Sequence, residues 1–65
     1  MFNKNEFRAA IARAGKTHKD VAKQIGVDES TLYRKIQENG RFTRAEINEM
    51  IDYLKIENPK SIFFA

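Results

Sequence analysis

The sequence predicts an all-α fold, a compact bundle of about five short helices forming one domain over residues 1–65. Three observations carry this. Apolar residues recur at three- and four-residue spacing in short blocks, and the alternation of a half-buried strand is absent. Polar residues able to cap a helix stand just before the blocks. The single proline and three glycines leave room for regular structure.

Asn3 and Glu6 are spaced as in a capping box, with Phe2 placed as a staple residue outside it. Phe7, Ala10, Ile11 and Ala14 then share one face of a helix over about 4–14, with Lys4, Arg8 and Arg13 away from that face. Gly15 ends this helix and Lys16 lies in the connection. Thr17 with Asp20 opens a second helix, about 18–25, striped by Val21, Ala22 and Ile25. Gly26 suits the left-handed residue at a helix end, and Val27 leads to Asp28. Asp28 caps a third helix over about 29–37, with Leu32 and Ile36 inward. Asn39-Gly40 marks a turn, and Phe42, apolar inside a polar loop, is expected to plug the edge of the core. Thr43 with Glu46 makes a further capping box, opening a helix over about 44–55. Its Ile47, Met50, Ile51 and Leu54 form the clearest stripe in the chain. Asn58-Pro59, a cap followed by proline, opens a short helix or turn holding Ser61 to Phe64.

Sixty-five residues lie near the lower limit for folding unaided, so stability must come from a tight apolar core, with or without help from a second copy. With no cysteine and a single histidine, His18, neither a disulfide framework nor a metal site is expected, and no cofactor. No run of about 18 apolar residues exists, so no membrane span is expected. The N-terminal residues lack a signal peptide's apolar segment, which by default implies a cytoplasmic location. No nucleophile–histidine pairing, phosphate-cradling glycine loop or ligand cluster stands out, so neither an enzyme nor a small-molecule substrate is expected. Glu46, Glu49 and Asp52 read as a solvated helix side.

The net charge of +3 is unevenly spread. Residues 1–45 carry ten Lys/Arg against five Asp/Glu, and residues 46–65 carry two against four. The basic part contains the second and third helices, and a basic face suits a polyanion. Helices joined by so short a turn should cross steeply, exposing the outer face of the third. That face holds Glu29, Ser30, Tyr33, Arg34 and Gln37, candidates for contact with base edges in a DNA major groove. Arg34 can bond guanine O6 and N7 together, Gln37 can pair with adenine or a phosphate, and Ser30 can bond a base or a phosphate. Tyr33 can pack on a thymine methyl or sugar, or reach a phosphate. Glu29 suits a groove only as an acceptor from cytosine N4, and it also favours the helix dipole where it stands. An ordinary solvated helix surface is the competing reading of the whole face.

The start of the second helix is an anion-binding candidate through Thr17, His18 and Lys19. Lys35, Arg41 and Arg44 are candidates for backbone contact, and Lys16 and Lys23 could extend that footprint. Ile62, Phe63 and Phe64 cannot all face one core. Either Ile62 and Phe63 seal the bundle with Phe64 partly exposed, or the three make a small dimer contact, and the two can coexist.

The run from Thr17 to Arg34 resembles the helix-turn-helix of the lambda-repressor-like family, which includes phage Cro and repressor proteins. The likeness rests on the small residue Ala22, the turn glycine Gly26, the apolar Val27 and the aliphatic Leu32. Leu32-Tyr-Arg-Lys-Ile36, then Gly40-Arg-Phe-Thr-Arg-Ala-Glu-Ile47 and the terminal Ile62-Phe-Phe64, is similar to small regulators of Gram-positive phages and prophages. The resemblance covers nearly the whole chain. It implies a sequence-specific regulator of double-stranded DNA, placed in a bacterial host's cytoplasm with its nucleoid. It would occupy a near-palindromic operator, with the third helix as reader and a weak homodimer as partner. The positions matching the family's contact places are Thr17, His18, Glu29, Ser30, Tyr33, Arg34 and Gln37. Two departures are visible. His18 stands where glutamine is common, and Lys35 stands where the second aliphatic residue often falls, with Ile36 following. The rotation of the third helix, and whether Lys35 or Gln37 faces outward, turns on whether Ile36 is buried. The reading from another class is a non-enzymatic protein-interaction module on the same fold.

Overall fold

Five α-helices follow one another in the computed structural model, which describes residues 1–64. They are α1 (Lys4–Arg13), α2 (His18–Ile25), α3 (Glu29–Gln37), α4 (Arg44–Leu54) and α5 (Pro59–Phe63). No strand occurs among the described residues, and none of their helices is long and apolar enough to cross a membrane.

The helix starts are fixed by local chemistry. Thr17 Oγ1 accepts from the Asp20 amide while Asp20 returns a bond to the Thr17 amide, and Thr43 and Glu46 repeat the arrangement. Asp28 accepts from the Thr31 amide at the head of α3. The Asn3–Glu6 pair is only half a box. Asn3 Oδ1 accepts from the Glu6 amide at 3.1 Å, but the Asn3 amide donates to the Ile62 carbonyl at 2.8 Å, so Glu6 has no partner there. That exchange fastens the start of the chain to α5. Phe2 and Phe7, on either side of the cap, form the expected staple with ring centroids 5.3 Å apart. Asn58 also differs from expectation. Its side chain caps nothing, and its carbonyl instead accepts from the Ser61 amide and hydroxyl.

The buried residues form one continuous core. Phe2, Phe7, Phe42 and Phe63 meet in a cluster in which every pair of ring centroids lies between 5.3 and 6.4 Å. Aromatic pairs at such spacing add about 0.5–1.5 kcal/mol each beyond their buried area. This cluster joins the N-terminus, α1, the loop after α3 and α5, and Phe42 plugs it as expected. Val21, Ala22, Leu32, Ile36, Met50 and Leu54, from α2, α3 and α4, are buried in the same core. Ile25, Val27, Ile47 and Ile51 are half-buried around them.

The ends of α1 and α4 fall one residue short of the sequence reading. At α4 the cause is backbone conformation: Lys55 is left-handed, with φ +52°, and Ile56 donates to the Ile51 carbonyl beyond it. A lysine pays a steric cost there that glycine does not. Lys55→Gly is therefore expected to raise stability by about 1 kcal/mol, read as a higher urea midpoint. A lower midpoint would contradict the left-handed cap.

Candidate nucleic-acid interface

The rotation of α3 is settled by its burial. Leu32 is fully buried and Ile36 is 6% exposed, so these two form the inward edge. Successive residues turn by about 100°, which sets Ser30, Tyr33, Arg34 and Gln37 on one outward strip, and all four are exposed. Glu29 is also exposed, at the edge of that strip nearest α2. Lys35 is not part of it. Its ammonium is turned to the rear, 3.4 Å from Glu46 Oε1 and 3.5 Å from the Arg41 carbonyl. The backbone-contact role read for Lys35 is thus set against a half-buried ion pair that fastens α3 to α4. Gln37, one residue on, faces out.

Each outward residue has a distinct state. The Arg34 guanidinium makes no hydrogen bond or ion pair among the described residues, and its charge lies close enough to act on Asp28. Ser30 Oγ donates to Asp28 Oδ1 at 3.0 Å. With its one hydrogen committed, the hydroxyl offers only acceptor lone pairs outward. Tyr33, 45% exposed, stacks on His18 with centroids 5.1 Å apart and rings 16° from parallel. His18 also meets the edge of Phe7, at 6.5 Å. The lone histidine is therefore a half-buried brace between the start of α2 and the outer face of α3. At that start Thr17 is engaged in its capping box, while Lys19 is exposed. The His18 and Lys19 amides belong to the first turn, which has no intrahelical acceptors to offer them.

Beyond α3, Arg41 and Arg44 are exposed on the loop and at the start of α4. Lys23 is exposed on α2, and Lys16 lies over the Tyr53 ring at 5.1 Å, which directs it toward the end of α4. Two cations that the sequence reading left aside come alongside the strip. Lys4 Nζ donates to Gln37 Oε1 at 3.2 Å, and Arg8 lines the shallow groove that also holds His18, Glu29 and Tyr33. Their i, i+4 spacing on α1 was the available signal. The terminal residues divide. Ile62 and Phe63 are buried within the chain, and Phe64 is 62% exposed, so the dimer contact read for this tail narrows to Phe64. No group of His, Cys, Asp and Glu among the described residues could hold a metal ion.

The two capping aspartates carry an electrostatic consequence. Hydrogen bonds from Thr17 hold the Asp20 carboxyl below its ordinary range, and those from Thr31 and then Ser30 do the same for Asp28. A carboxyl lowered by folding stabilises the fold fully above its unfolded value near 3.8, and loses that contribution as pH falls through the lowered folded value. Stability is thus expected to be flat toward neutrality and to fall in acid. Asp28→Asn keeps a cap acceptor but cannot titrate. Its melting midpoint should drop less than that of the unmodified chain between about pH 5 and pH 2. Equal drops would remove Asp28 from the acid transition.

No protein-family model, curated protein or solved structure matches this chain.

Proposed function

We propose that the chain is a sequence-specific, double-stranded-DNA-binding transcriptional regulator of the lambda-repressor-like, Cro or repressor type. In this reading α2, the turn through Gly26 and α3 are a helix-turn-helix, and α3 enters the major groove. The observation that carries it is the division of α3. Leu32 and Ile36 face the core while Ser30, Tyr33, Arg34 and Gln37 form one exposed polar strip.

The chemistry of the strip suits base edges. Arg34 is a free fork matched to guanine O6 and N7. Ser30 is an acceptor matched to the amino groups of adenine or cytosine. Tyr33, braced by His18, offers a ring edge to a thymine methyl. Glu29 serves only as an acceptor from cytosine. Thr17, His18, Lys19, Arg41 and Arg44, joined by Arg8, supply the flanking contacts to phosphate that set register without reading sequence. A pair of chains on a near-palindromic operator would set two α3 helices about 34 Å apart, with Phe64 the apolar side chain available for a weak contact between copies. The protein would act by occupying its site, regulated by its own concentration.

Affinity for duplex DNA across a salt series tests this. Each phosphate neutralised by Lys or Arg releases counterions, so the logarithm of the binding constant should fall linearly with log salt, by about 0.9 per contact. A complex indifferent to salt would contradict the reading and favour a protein partner.

A further inference from the structure

The Lys4–Gln37 bond has a consequence for base choice. A glutamine amide reads adenine with both ends, its oxygen accepting from N6 and its nitrogen donating to N7. A lysine ammonium has three donors and no acceptor, so the end of Gln37 that meets Lys4 must be Oε1. That oxygen is held 3.2 Å from Lys4 Nζ. Oε1 keeps a second lone pair, but the Lys4 ammonium beside it brings a positive charge and further donors to that end of the amide, which repels adenine's N6 amino group. Guanine, with adjacent acceptors at N7 and O6, matches these donors. The arrangement joins residues 33 positions apart in the chain and is outside the helix-to-turn unit itself.

We propose that Lys4, on α1, sets the base preference of Gln37 by placing its ammonium beside the carbonyl oxygen, shifting the preference at that position from adenine toward guanine. This rests on the DNA-binding reading above. Lys4 acts as a positioning residue. Its long side chain reaches across from the first turn of α1 to the last turn of α3, and the core is untouched by its removal because the residue is exposed.

Selection of duplexes from a random pool by the intact chain, by Gln37→Ala, by Lys4→Met and by Lys4→Arg tests it. The base pair facing Gln37 is the one whose preference disappears in Gln37→Ala. At that pair the unmodified chain should favour guanine over adenine. In Lys4→Met the guanine-to-adenine ratio should fall by about fivefold or more, with other positions unchanged. Lys4→Arg, which keeps a donor, should retain the guanine preference. An adenine preference in the unmodified chain would overturn the proposal. So would a Lys4→Met chain that binds every duplex more weakly with its ratios intact, which would make Lys4 a phosphate contact alone. Failure of the unmodified chain to enrich any duplex would instead bring down the DNA-binding reading, and this proposal with it.

Discussion

Gly40→Ala is expected to cost about 2–5 kcal/mol of stability, from two separable causes. Gly40 sits at φ +69°, in the left-handed region where an L side chain costs about 1–2 kcal/mol. A Cβ there would also fall onto the Phe2 ring and lie 2.6 Å from Phe2 Cβ. Phe2 cannot simply swing aside. It is one of the four phenylalanines in mutual contact, and the following Asn3 amide is bonded to the Ile62 carbonyl. Forcing such a core apart costs about a further 1–3 kcal/mol. A domain of this size has about 3–10 kcal/mol in total, so the variant should be much weakened or unfolded at 25 °C. Gly26→Ala separates the causes. Its φ is +80°, but nothing lies within 4 Å of a Cβ there, so only the conformational share should appear. Urea midpoints that fall equally in the two variants would show that the Phe2 collision is absent.

Arg34→Ala is expected to weaken binding to the preferred duplex by about 1–3 kcal/mol, or about five- to 150-fold, and to relax choice at one base pair. The size follows from the state of the side chain. Arg34 is exposed and holds no hydrogen bond or ion pair among the described residues, so both arms of its fork are available to one guanine. Because the side chain lies outside the core, the Arg34→Ala chain is expected to remain folded. Arg34→Lys separates charge from shape. Lysine keeps the charge but not the planar fork, so it should recover affinity for DNA in general and little of the lost discrimination. Competition titrations with duplexes varied one pair at a time measure both effects. Equal losses on every duplex would make Arg34 a phosphate contact and remove it from base reading.

How much of this was legible in the sequence depended on the range of the interaction. The paired capping boxes at Thr17–Asp20 and Thr43–Glu46 involve residues three apart, and their spacing announces them. The rotation of α3 needed only the burial of Ile36 beside Leu32, so the outward strip was readable once that was known. What was hidden is what folding brings together from distant parts of the chain. The Asn3 amide could have bonded Glu6, and nothing local says that Ile62 takes it. Lys35 looks like a flanking cation until Glu46, 11 residues on, claims it. Lys4, Arg8 and His18 were each read on their own helix, whereas their places beside Gln37, Glu29 and Tyr33 come from the fold, which packs α2 on α3 and brings two α1 side chains alongside. The end of α4 differs from the reading by one residue, because a left-handed lysine leaves no mark in a sequence where glycine usually signals the turn.

The central claim is that the outer strip of α3 reads base sequence. Its most direct test is selection by the intact chain from a random pool of duplexes at about physiological salt. Enrichment of a near-palindromic site whose two halves repeat at one duplex turn, about 34 Å, is expected. A pool that emerges with no enriched sequence, whether the chain binds all duplexes alike or none, would contradict it.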